Sequence, residues 1–68
     1  MYGRAYCHLC EDMAQALRSL GVDFEEIDVD SDPGLDELYG EHVPVLVDAA
    51  GNEICRTRLD PEAIRKLR

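Results

Sequence analysis

Cys7-His8-Leu9-Cys10 stands where a short leading segment gives way to the first apolar-periodic stretch of the chain. Two thiols at that spacing make a redox pair or half of a metal site. If these residues form the first turn of a helix, the Cys7 sulfur lies at the helix N-terminus. Free backbone N–H groups and the positive end of the dipole there favour a thiolate, the reactive form of cysteine. Cys10, three residues on, falls on the same face, close enough to attack a mixed disulfide formed by Cys7. That arrangement makes Cys7 the candidate nucleophile and Cys10 the candidate resolving thiol.

Working outward, Leu9, Met13, Ala16, Leu17 and Leu20 recur at helical spacing, and Gly21 is placed to end the helix. Upstream, Met1 to Ala5 is at best a clipped strand, with Tyr2 its only large apolar side chain besides the initiator. Downstream, the run from Val22 to Val29 mixes β-formers with acids and reads as a strand. Asp30-Ser31-Asp32-Pro33 opens a short second helix with Leu35, Leu38 and Tyr39 at helical spacing, and Gly40 ends it. Val43 to Val47 is an almost continuous apolar run, which suits a strand covered on both faces. Ala50-Gly51-Asn52 turns the chain into Glu53 to Thr57, so these two strands should form an antiparallel hairpin. Asp60-Pro61-Glu62 caps a last helix carrying Ile64 and Leu67. The order is βαβαββα with the first strand clipped: an α/β fold with a small mixed sheet flanked by helices. The opening strand, helix and strand favour a parallel pair joined by a right-handed crossover.

Sixty-eight residues make one domain, 1–68, below the size at which a single core gives comfortable stability. No apolar run approaches the ~20 residues of a membrane span, and no secretory signal opens the sequence. Three cysteines do not read as a disulfide framework, so the close pair points to catalytic or metal-binding use in a reducing compartment, the cytoplasm. A formal charge of −8 argues against a nucleic-acid partner. The acids concentrate between Asp23 and Glu41, while Arg56, Arg58, Arg65, Lys66 and Arg68 give the last quarter a basic bias. The acidic stretch reads as a solvated surface, or else as a docking face for a basic partner.

A CxxC at the start of the first helix, followed by Val43-Pro44 before an apolar strand, a turn and a closing helix, resembles the thioredoxin fold in its smallest, glutaredoxin-like form. Cys7-His8-Leu9-Cys10-Glu11-Asp12-Met13, Ile27-Asp28-Val29-Asp30 and the stretch from Tyr39-Gly40 to Leu46 are similar to a subgroup of small glutaredoxin-like proteins. The resemblance implies that Cys7 is the nucleophile, Cys10 the resolving cysteine and Pro44 a cis-proline held against the thiols. It implies that the Val43 backbone pairs with the bound substrate chain, that Arg4 matches a basic residue common in glutaredoxins, and that Tyr6 lies where the loop approaches the thiol. Two departures stand out. His8-Leu9 replaces the usual Pro-Tyr between the cysteines, and a cationic His8 would favour the Cys7 thiolate. Thr57-Arg58-Leu59-Asp60 stands in place of a Gly-Gly and acidic pair that hold glutathione, with Asp60 alone having a counterpart.

The function expected is thiol–disulfide exchange by a monomeric electron-transfer protein with no bound cofactor. Its partners are a disulfide-bearing protein or small thiol, and a reductant of the thioredoxin-reductase type or glutathione, the last expected to bind weakly. The competing readings are a metal-binding or metal-delivery module, which adds His8, His42 or Cys55 to the two thiolates, and a non-catalytic binding module. No second closely spaced Cys/His pair supports the metal site. Cys55 reads as a small buried hydrophobe and His42 as a surface loop residue.

Overall fold

The computed structural model describes residues 1–67. Arg68, the last of the basic residues that end the chain, lies outside the described residues. The elements are β1 (Tyr2–Gly3), α1 (His8–Ser19), β2 (Ile27–Asp28), a 3₁₀ turn (Val29–Ser31), α2 (Pro33–Tyr39), β3 (Val45–Val47), β4 (Glu53–Arg56) and α3 (Pro61–Lys66). The sheet runs β2-β1-β3-β4. β1 is parallel to β2 and antiparallel to β3, and β3 and β4 form the expected antiparallel hairpin. This is a minimal thioredoxin-like α/β fold. Among the described residues no helix is long and apolar enough to cross a membrane.

The clipped first strand has only two residues, yet it takes a central place in the sheet. Its neighbours make up for its length: the Met1 ammonium donates to the Glu25 carbonyl at 2.6 Å and the Met1 carbonyl accepts from Ile27 N–H at 2.8 Å. Alternation along β1 and β3 sorts the two faces of the sheet. Met1, Leu46 and Cys55 join Cys10, Met13, Ala14 and Leu17 of α1 and Ala63 of α3 in one buried cluster. Tyr2 and its cross-strand partner Val45 turn to the other face, where Tyr39 of α2 stacks on Tyr2 with ring centroids 4.3 Å apart.

Three details correct the sequence reading. The buried stripe of α1 is Cys10, Met13, Ala14 and Leu17, whereas Leu9 and Leu20 are 45% and 40% exposed. The stripe is rotated because Cys10 and Ala14, small enough to meet the sheet closely, take the inward positions. The strand expected over Val22–Val29 shortens to Ile27–Asp28, and Val22 and Phe24 pack on the core from a loop. Helix α2, read from Leu35, Leu38 and Tyr39 at helical spacing, has no buried residue, and Leu38 is 65% exposed.

The ends of the helices follow the local chemistry read from the sequence. Val22 N–H reaches the Leu17 carbonyl and Gly21 N–H the Arg18 carbonyl, both at 3.1 Å, with Gly21 at φ 72°: a Schellman stop that needs a residue free to turn left-handed. Asp32 caps α2 through Gly34 N–H at 2.7 Å, and Asp60 caps α3 through Ala63 N–H at 2.7 Å.

Candidate functional site

Cys7 is the N-cap of α1, and its sulfur accepts a hydrogen bond from Cys10 N–H at 3.2 Å. The side chain therefore fills the role that Ser or Asp plays at other helix starts, aiming its sulfur at the free N–H groups of the first turn. Cys7 is half-buried and Cys10 is 5% exposed, and both are free thiols. Burial first, then hydrogen bonding to Cys7, pushes the Cys10 thiol up from 9.0 to about 11, against smaller opposing effects from the Arg4 backbone and charge. The two sulfurs thus differ in environment: one at a helix end and reachable, the other enclosed and held as a thiol.

Gly3 makes that enclosure possible. A Cβ there would stand 3.2 Å from the Cys10 sulfur, so β1 carries glycine where the second thiol packs against it. Continuing the β1–β3 register past Tyr2 and Val45 sets Gly3 opposite Pro44. The Val43–Pro44 bond is cis, as the resemblance implies, and Pro44 is fully buried. Val43 and Cys7 both lean on the same buried cluster. The Pro44 carbonyl accepts from Thr57 N–H at 2.7 Å, which ties the segment leading to α3 onto this strand. Thr57 itself adopts φ 72°, a left-handed backbone that L side chains seldom take.

The remaining expected site residues are spread more widely. Tyr6, next to Cys7, is fully exposed at φ 58°, and His8 is exposed on the first turn of α1. Asp60 is engaged as the cap of α3. Arg4 reaches Asp36 of α2 and Asp30 of the 3₁₀ turn, its Nη2 2.7 Å from the first and 3.7 Å from the second. A cavity of about 280 Å³ lies between β1, β2 and the start of α1, with Arg4, Tyr6, Cys10 and Glu11 in its wall. Cys55 is buried opposite Leu46, as a small hydrophobe would be, and its thiol is pushed up first by that burial. His42 is an exposed loop residue. Among the described residues no group of three or more His, Cys, Asp or Glu side chains is placed to hold a metal ion.

The chain matches the model of the glutaredoxin-like domain (DUF836) over residues 1–67. The chain belongs to the glutaredoxin-like family. It is also similar to the solution NMR structure of protein Ne2328 from Nitrosomonas europaea, with a TM-score of 0.83 and 38% identity, covering 96% of this chain and 82% of that one. No curated protein matches the chain. Family membership and the Cys7–Cys10 pair are together compatible with thiol redox chemistry.

Sequence reasoning missed two residues of this site. Gly3 carried a readable signal, a lone glycine in a segment otherwise read as strand. Asp36 carried none, because its partner Arg4 is 32 positions away and one acid among many gives no pairing information.

Proposed function

We propose that this glutaredoxin-like protein is a thiol–disulfide oxidoreductase in which Cys7 attacks and Cys10 resolves. The observation that carries the reading is the hydrogen bond from Cys10 N–H to the Cys7 sulfur at the start of α1, which makes the N-cap a sulfur and places its partner one turn inward. The Cys7 thiolate attacks a substrate disulfide, an S–S bond forms to one half, and the other half leaves as a thiolate that takes up a proton. Cys10 then releases its proton to solvent, its sulfur attacks Cys7, and the second half leaves as a thiolate. The substrate gains two electrons and the pair becomes a disulfide, which an external dithiol or glutathione reduces. Attack on a substrate removes two of the causes that hold Cys10 as a thiol, the hydrogen bond to Cys7 and the charge on it. Cys10 is therefore more readily ionised once the mixed disulfide exists.

The same reading assigns Val43, Pro44 and the exposed Tyr6 and His8 to contact with the substrate chain, in a monomeric cytoplasmic protein without a bound cofactor. Glutathione is the poorer co-substrate: Arg58 and Leu59 occupy the family's glycine positions, and the domain's −8 charge repels an anion. Alkylation followed by mass spectrometry tests the roles. Cys7 is expected to label first, and Cys10→Ser to accumulate mixed disulfides at Cys7. Faster labelling at Cys10 would reverse the assignment. Turnover of a glutathionylated peptide compared with reduction of a protein disulfide at matched concentration tests the substrate. A strong preference for the former, unaffected by salt, overturns that part.

A further inference from the structure

Helix α2 buries no residue, yet it is tied to β1 at two points. Tyr39 stacks on Tyr2, 4.3 Å between centroids and 15° between planes, and the Asp36 carboxylate holds the Arg4 guanidinium at 2.7 Å. Tyr2 and Arg4 flank Gly3, the residue packed against the Cys10 sulfur, and Arg4 opens the three-residue passage to Cys7. Arg4 follows Gly3 directly, so the backbone that packs on the Cys10 sulfur continues straight into Arg4. Arg4 Nε is buried without a hydrogen-bond partner among the described residues, so the guanidinium is held through Nη2. On the side of Gly40 the pair leaves no room: a Cβ there would overlap the Asp36 carboxylate and carbonyl and stand 2.8 Å from Arg4 Nη2. Gly40 has φ −53°, which any residue adopts, so glycine is needed there for room and not for its backbone freedom.

We propose that Asp36, acting through Arg4, is a positioning residue for the resolving thiol: α2 anchors the guanidinium, and with it the backbone segment that contacts Cys10. The inference rests on the assignment of Cys10 as the resolving cysteine. Anchoring and simple charge predict opposite signs for the same variant. If Arg4 acted only as a positive charge near Cys10, removing the Asp36 carboxylate would leave that charge less neutralised and speed the ionisation of Cys10. If Asp36 positions the segment, its loss slows the step in which Cys10 attacks.

A dithiobis-nitrobenzoate disulfide supplied at less than one equivalent reads the two steps in one stopped-flow trace. Attack by Cys7 releases the first nitrothiolate and attack by Cys10 the second. Asp36→Asn and Gly40→Ala are expected to slow the second release about two- to fivefold, the scale of an exposed ion pair. Both should move its pH midpoint upward and leave the first release unchanged once corrected for net charge. Asp36→Glu is expected to restore the second release. Gly40→Ala alters no charge, so its agreement with Asp36→Asn isolates position from electrostatics. A second release that is unchanged in Gly40→Ala, or faster in Asp36→Asn, overturns the proposal while leaving the oxidoreductase reading intact. Absence of a first release from Cys7 in the unaltered protein would overturn that reading itself.

Discussion

Helices α1 and α2 lie on opposite faces of one four-stranded sheet and are held to it by different physics. α1 turns Cys10, Met13, Ala14 and Leu17 into the shared core. α2 contributes no buried residue and is tethered by an aromatic stack and an exposed ion pair. Burial holds α1 by removing apolar surface from water, which is strong and indifferent to detail. The α2 tethers are weak singly and depend on particular partners, and both partners lie in the segment that leads to the thiols. The fold therefore fixes the helix bearing the cysteines by bulk and leaves its approach segment to specific contacts.

The largest effect expected from breaking this comparison is on the α1 side. Leu17 has no exposed surface, and Leu17→Ala should cost about 2–5 kcal/mol through lost burial and the cavity left behind. A core in a domain of this size rarely supplies more than about 3–5 kcal/mol, so the variant should be largely unfolded. Leu38→Ala, at a position 65% exposed on α2, should fall within about 0.5 kcal/mol of the parent. Urea titration of both proteins checks the pair. Equal losses would mean that α2 is held by burial after all.

The next effect is a dependence on pH that belongs to α1. Burial raises the Cys10 thiol from 9.0 to about 11 in the fold, so between those values the unfolded chain has released a proton that the folded chain keeps. The contribution is present in full below pH 9 and is lost as the pH rises through about 11. Unfolding free energies of the reduced protein should fall more steeply from pH 8 to pH 10 than those of Cys10→Ser. The buried Cys55 thiol, also raised, leaves a residual slope in both. Identical slopes would show that Cys10 is not enclosed as described.

How much of this was legible depended on whether a residue's partner was local. The helix caps at Asp32 and Asp60, the stop at Gly21 and the hairpin turn at Gly51 are set by neighbours within a few positions, and each formed as read. The CxxC at a helix start is equally local. The rotation of the α1 stripe is not legible, because Cys10 reads for its chemistry and Ala14 is too small to mark a face, yet both are buried in the core, Cys10 directly against Gly3. The central place of a two-residue β1 depends on pairing with two distant strands, and the turn of Arg4 toward Asp36 on a contact across 32 positions. Apolar periodicity carries no information about either.

A smaller effect tests the aromatic tether. Tyr39→Ala removes a stacked pair worth about 0.5–1.5 kcal/mol beyond its buried area, and should loosen β1 along with α2. Amide exchange should then rise at Tyr2 and Ile27, which pair across β1 and β2, while Leu17 stays protected. Protection lost evenly across the domain would mean that α2 is not a separable attachment.

The smallest effect sets the two helix starts side by side. α1 is capped by the Cys7 sulfur and α2 by the Asp32 carboxylate. A thiol sulfur is a weak acceptor, whereas a hydroxyl or carboxylate oxygen is a good one. Asp32→Ala should therefore cost about 1 kcal/mol, the usual loss of an N-cap. Cys7→Ser moves in the other direction: the better cap should leave the fold as stable as before or firmer by a few tenths of a kcal/mol, while thiol exchange at position 7 disappears. Thermal melts of the reduced proteins, run beside a disulfide-reduction assay, decide it. A clear loss of stability in Cys7→Ser would mean that the sulfur packs as part of the core, and that α1, like the rest of its face, begins in burial and not in a cap kept weak for chemistry.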